Sequence, residues 1–143
     1  MSMEESRRLN REVVAEFRAN GGKLGGPYAD VDVLLLTTTS ADTGEQRVLP
    51  LGYGRDGERL IVFAADDGRE NGPNWYHDLL AHPRAEVEVG SERWAVTASV
   101  ATGEERNMLW DKQFERWAFM ADLQAKVAWE IPVVILTAVT PLR

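Results

Sequence analysis

Between Val31 and Val100 the chain is largely a series of short aliphatic and β-branched runs, most of them joined by turns suited to antiparallel hairpins. VDVLLLTTTS leads into the polar ADTGEQ, RVLPLGYG joins ERLIVFAA through Asp56-Gly57, and AEVEV joins ERWAVTASV through Gly90-Ser91. Asp-Gly between apolar runs is a strong hairpin signal, because tight hairpin turns need residues that tolerate positive φ. A last run, PVVILTAV, closes the chain. About six short strands with a few helical inserts describe a mainly β (α+β) antiparallel barrel with peripheral helices.

The helices announce themselves by a different period. Leu9, Val13 and Phe17 recur every four positions with Val14 beside them, so residues 2–19 read as a helix. Asn20-Gly21-Gly22 stops it, and Gly25-Gly26-Pro27 keeps 20–28 a loop. The polar DDGRENGP leads into a short helix, NWYHDLLA, ended by His82-Pro83. Thr102-Gly-Glu-Glu105 has capping-box spacing for a helix through about Lys112. Residues 113–129 read as helical too, with Phe114, Trp117, Met120 and Ala121 at helical spacing. The expected architecture is one antiparallel-barrel domain over 1–143, with an N-terminal helix and two late helices.

Composition narrows the function classes. Sixteen Lys+Arg against 23 Asp+Glu give a net charge of −7, which disfavours nucleic acid and anionic membrane as partners. Cysteine is absent, so disulfides, a thiolate nucleophile and a cysteine-ligated zinc are excluded. The start MSMEESRRLN is polar and charged, unlike a secretory signal, and apolar runs such as VLLL are far too short for a membrane span. A cytoplasmic protein is expected.

Several motifs carry less than their letters promise. Gly52-Tyr-Gly54-Arg-Asp-Gly57 spells a dinucleotide fingerprint, but a strand follows it where a helix must open. His77 and His82 stand five apart around a short helix, splayed too far to share a metal ion, so no metal site is expected. His77-Asp78 could supply proton transfer at a pocket rim. Trp94 reads as core. Trp110, Trp117 and Trp129 with Phe114 and Phe119 read either as helix-to-barrel packing or as an aromatic wall over a planar ligand.

GGK at 21–23, LTTTS at 36–40, Gly44 with Arg47, Pro50-Leu51, GPNWYHDLLAHP at 72–83, EER at 104–106, Trp110 and IPVVIL at 131–136 occur in one fixed order. In this the chain resembles, over nearly its whole length, the deazaflavin-dependent nitroreductase family of actinobacteria, split β-barrel flavin and deazaflavin oxidoreductases. The resemblance implies coenzyme F-420 as hydride carrier and a hydrophobic small-molecule substrate, conjugated, quinone-like or polyketide-derived, as in natural-product biosynthesis. The protein would mainly position ring against substrate. Residue by residue, the resemblance implies that Thr39, Thr43, Gly44, Arg47 and Pro50 border the coenzyme's tail. It implies that Ala64, Ala65, Asp67, Gly68, Trp75 and Tyr76 frame the ring, with Tyr76 and His77 as candidate proton donors. Trp117, Met120, Leu123 and Trp129 fall where the family lines its substrate pocket with tyrosines and an arginine, so a large apolar aromatic substrate is expected. A homodimer through strand faces is compatible with such barrels.

The chain departs from the family in its charges. The usual Gly-Arg-Lys-Ser-Gly turn is Ser40-Ala41-Asp42-Thr43-Gly44 here, with Arg47 retained, and the turn before the tryptophan reads Asp66-Asp67-Gly68-Arg69. Beside a phosphate at 4 Å, exchanging lysine for aspartate turns an attraction of up to about 4 kcal/mol into a similar repulsion at an effective dielectric of ~20. Competing readings therefore stand. One is the coenzyme-dependent oxidoreductase. Another is a coenzyme-free descendant that binds or rearranges a hydrophobic intermediate without redox chemistry, Asp66-Asp67 supplying a general base. A barrel using ordinary flavin, FMN, is a third.

Overall fold

The computed structural model describes residues 3–65 and 73–142. In chain order it contains α1 (Met3–Ala19), a 3-10 turn (Gly26–Tyr28), β1 (Val33–Thr39), β2 (Gln46–Gly52), β3 (Gly54–Asp56), β4 (Arg59–Phe63) and α2 (Asn74–Ala81). There follow β5 (Arg84–Val89), β6 (Glu92–Val100), α3 (Gly103–Phe114), α4 (Met120–Ala125) and β7 (Val133–Leu142). The strands form one antiparallel sheet in the order β2-β1-β5-β6-β7-β4-β3. Its two end strands, β2 and β3, are separated in sequence by Tyr53 alone, so the sheet curls until its ends meet.

Alternation along the strands divides the residues between two faces. Leu34, Leu36, Leu60, Val62, Val87, Val96, Val134 and Leu136 fill the inside of the curl, with Trp94 packed against them. Ile61, Val133 and Ile135 point outward and are covered by Leu109 and Trp110 of α3, with Phe63 at the margin. On the other side α1 lies against β2 and buries Phe17.

Seven strands replace the six expected, because the return strand RVLPLGYG breaks at Tyr53, whose N–H donates to the Asp32 carbonyl at 3.0 Å. The glycines either side of the break have a packing role. A Cβ on Gly52 would stand 2.8 Å from Trp117 Cη2, and one on Gly54 would stand 2.0 Å from Gln113 Oε1. Gly57 sits in the β3–β4 hairpin with φ +63°. The fingerprint letters thus mark close helix-on-strand approach and a hairpin.

Two helical expectations change. Thr102 holds the N-cap position of α3, yet its hydroxyl makes no cap bond; Gly103 opens the helix with φ +60°, outside the regular entry a capping box requires. The expected helix over 113–129 shrinks to α4. Gln124 engages the chain beyond it: its Nε2 donates to the Trp129 carbonyl at 2.6 Å and its Oε1 accepts from Ile131 N–H at 2.9 Å. Those bonds tie the non-helical segment that follows back onto α4. Arg106, buried over the Trp110 ring, donates to the Ile131 carbonyl at 2.6 Å and fixes the same segment to α3.

A surface network joins the β3–β4 hairpin to α3. Arg59 reaches both Asp56 and Glu105, and Lys112 Nζ stands 3.6 Å from Asp56. The hydrogen bond from Arg59 holds the Asp56 carboxyl below its ordinary pKa, with charge attraction from Arg59 and Lys112 adding to it. A depressed carboxyl stabilises the fold above its unfolded pKa, near 3.9, and that contribution is lost as pH falls through the folded value. Asp56→Asn is therefore expected to flatten the acid limb of stability below about pH 4. Urea unfolding at pH 7 and pH 3 reads this, and the pair's exposure keeps the effect small.

Candidate functional site

The β1–β2 turn is held from below by α2. Trp75 and Leu79, four apart, pack into the inner cluster beside Ala64, and that periodicity turns Asp78 to the same buried face. Asp78 is 2% exposed. Its Oδ2 accepts from Thr38 Oγ1 at 2.9 Å, its Oδ1 accepts from Ala41 N–H at 3.0 Å, and Arg47 Nε stands 3.7 Å from Oδ2. A buried carboxylate is tolerable only with such partners.

Ser40, also buried, organises the turn itself. Its Oγ accepts from the amides of Asp42 and Thr43, both at 3.2 Å, and from Arg47 Nη2 at 2.8 Å. Its carbonyl accepts from Gly44 N–H and its own N–H donates to the Glu45 carbonyl. Glu45 N–H donates to Thr43 Oγ1 at 3.2 Å. Every amide from Ser40 to Glu45 is thereby engaged within the protein.

An aromatic row lies on the outer face. Trp110 meets Phe63 edge-on at 6.0 Å, Phe63 meets Trp117 at 6.1 Å, and Trp117 stacks on Phe119 at 5.7 Å and 19°. Phe63 directly precedes Ala64 and Ala65, while Trp117 covers Gly52, two residues along β2 from Pro50 and on the same face. The row thus runs beside the positions expected to frame a ring. Phe119 is 50% exposed, so its face is open to a flat apolar ligand.

The residues expected from sequence distribute as follows. Thr39, Pro50 and Ala65 are half-buried, Thr43 and Gly44 are exposed on the turn, and Arg47 retains 36% of its side-chain surface. Ala64 and Trp75 are buried in the core. Asp66, Asp67, Gly68 and Arg69 lie outside the described residues. Tyr76 is half-buried and lines a cleft of about 170 Å³ with Leu79, Leu80, Pro83 and Val100, which contains none of the four expected substrate-pocket residues. His77 is exposed, edge-on to Tyr76 at 5.6 Å. The oxygens of Asp78 are taken by Thr38 and Ala41, and it forms no hydrogen bond with His77. Trp117, Leu123 and Trp129 are half-buried while Met120 is buried; among these only Trp117 joins the aromatic row. Among the described residues no group of three potential ligands could hold a metal ion, and no helix is long and apolar enough to cross a membrane.

Known proteins share this architecture. The family model for F420H(2)-dependent quinone reductases matches residues 9–138. An F420H(2)-dependent quinone reductase of Mycobacterium tuberculosis H37Rv is 34% identical, covering 94% of this chain and 99% of that protein. A solved F420-H2 dependent reductase (FDR-A) superposes with TM-score 0.67 at 31% identity, over 73% of this chain and 93% of that one. A structure described as a domain-swapped dimer gives TM-score 0.69 at 29% identity, over 94% and 99%.

Proposed function

The chain belongs to the F420H(2)-dependent quinone reductase family and is an oxidoreductase, and on that premise we propose that it reduces a hydrophobic, quinone-like substrate with coenzyme F-420. When bound, the reduced deazaflavin ring supplies hydride, and a quinone that gains hydride and one proton becomes a hydroquinone. The observation that carries this reading is the family match over 9–138, which spans every position assigned to coenzyme or substrate.

The donors of this chain support one phosphate of the coenzyme. Arg47 donates through Nη2 to Ser40 and faces Asp78 through Nε, which leaves its Nη1 free among the described residues for one phosphate. Thr39, Thr43, Gly44 and Pro50 border the tail. Half-buried Ala65 is small enough for a ring to approach and half-buried Tyr76 stands at its margin, while Ala64 and Trp75 support the ring's place from within the core. Trp117, with Leu123 and Trp129, walls the substrate, while buried Met120 supports that wall from beneath. The row excludes water from one face of the reacting pair and orients the other. Tyr76 holds a hydroxyl proton at the rim with His77 behind it, and water supplies the same proton where they do not.

A titration of F-420 fluorescence with the protein, followed by anaerobic oxidation of the reduced coenzyme by added quinone, tests this. Saturable binding and quinone-dependent oxidation are expected. A folded protein that binds nothing at hundreds of micromolar would overturn the reading in favour of the coenzyme-free barrel. Trp117→Ala is expected to lower kcat/KM for multi-ring quinones about tenfold, as one lost apolar wall contact of about 1–2 kcal/mol would. Coenzyme affinity should not move, and steady-state kinetics on quinones of one to three rings checks both.

A further inference from the structure

We infer that the β1–β2 turn makes this enzyme indifferent to the negative charge of its coenzyme's tail, and that buried Asp78 is the residue responsible. The inference rests on the proposed use of F-420 and refines it to the form of coenzyme preferred.

Anion sites built on turns work through free amides and uncompensated cations. This turn offers neither. The six amides from Ser40 to Glu45 all donate internally: one to Asp78, two to Ser40 Oγ, one to the Ser40 carbonyl, one to the Glu45 carbonyl and one to Thr43 Oγ1. The turn's one cation, Arg47, is balanced by Asp78 at 3.7 Å and tethered to Ser40. Beside partly exposed Arg47, the charged side chains the turn exposes are Asp42 and Glu45. A phosphate can still take the free edge of Arg47, but each further carboxylate of an oligoglutamate tail meets acidic residues and no available donor. Affinity then resides in the ring and its wall.

Asp78→Asn isolates the charge. An asparagine Oδ1 can accept from Ala41 N–H while Nδ2 donates to Thr38 Oγ1, since a hydroxyl serves either way. The geometry is kept and Arg47 is unbalanced.

Dissociation constants are measured by fluorescence at low and high salt for three ligands: the ribityl deazaflavin without phosphate, the coenzyme with one glutamate, and the coenzyme with five or six. For the natural chain, the two phosphorylated forms should agree within about threefold and respond weakly to salt. In Asp78→Asn the long-tailed form should tighten several-fold at low salt, an advantage that high salt removes, while the phosphate-free ligand is unchanged. Asp42→Asn, on an exposed side chain with no folding role, should tighten the same form about two- to threefold. Affinity of the natural chain that climbs tenfold with tail length and collapses in salt would overturn the inference. So would an Asp78→Asn protein, shown to be folded, with the natural chain's profile. If none of the three ligands binds, including the bare ring, it is the coenzyme assignment that fails.

Discussion

Gly22→Ala is expected to destabilise the fold by about 2–5 kcal/mol, a large part of the 5–15 kcal/mol available to a domain of this size. Gly22 follows α1, where its N–H donates to the Phe17 carbonyl at 2.8 Å with φ at +91°. An L side chain in left-handed backbone costs roughly 1–2 kcal/mol. The added Cβ would also lie 2.6 Å from Gly90 Cα, which is backbone of the β5–β6 hairpin and cannot swing away. Overpacking of that kind adds about 1–3 kcal/mol. Two controls separate the terms. Gly21 has φ +61° with nothing within 4 Å of where a methyl would stand, and Gly90 has φ +59° with only the Gly21 carbonyl at 3.7 Å. Alanine at either should lose the conformational part alone, about 1–2 kcal/mol. Urea unfolding of the three variants gives the comparison. Equal losses at all three positions would mean that α1 does not abut the hairpin this closely.

That contact also marks what a sequence reader can and cannot see. Hairpins at Asp56-Gly57 and Gly90-Ser91, the helix ending at Asn20-Gly21-Gly22, and the closing strand are local signals, and local chemistry decides them. The break at Tyr53 is different. It depends on Trp117 and Gln113 arriving over Gly52 and Gly54 from more than fifty residues away, so one apolar run becomes two strands. The segment after the shortened α4 likewise depends on a side chain, Gln124, which holds the Trp129 carbonyl and the Ile131 amide. At the site, the order of motifs along the chain puts Arg47 and the aromatic positions forward as expectations; the fold adds that Arg47 meets Ser40 and Asp78 and that Trp117 stands in a row with Phe63 and Phe119. Asp78 had a readable signal that a charge-based reading passes over: three residues after Trp75 and one before Leu79, it lies on the apolar face of its helix. A carboxylate there must find donors, and only the fold shows that they are Thr38, Ala41 and Arg47.

Asp78→Ala is expected to cost about 2–5 kcal/mol, and the size of the loss follows from what stays behind. The Thr38 hydroxyl, on a residue 1% exposed, loses its acceptor at about 1–3 kcal/mol for a buried donor left without a partner, while the Ala41 amide, on an exposed residue, loses about 0.5–1.5 kcal/mol as an ordinary hydrogen bond does. Arg47 loses its counter-charge, but its surface exposure lets water compensate, so that part is minor. The small void left by the carboxylate adds a further fraction. Asparagine preserves the two short bonds, so Asp78→Asn should lie within about 1.5 kcal/mol of the natural chain. Thr38→Val should fall between the two, since it removes one bond and leaves the ion pair. Denaturant unfolding followed by tryptophan fluorescence reads all three. A loss in Asp78→Ala no larger than in Asp78→Asn would show that the carboxylate is hydrated in solution. The turn would then owe its shape to Ser40 alone, whose hydroxyl already gathers two amides and the guanidinium.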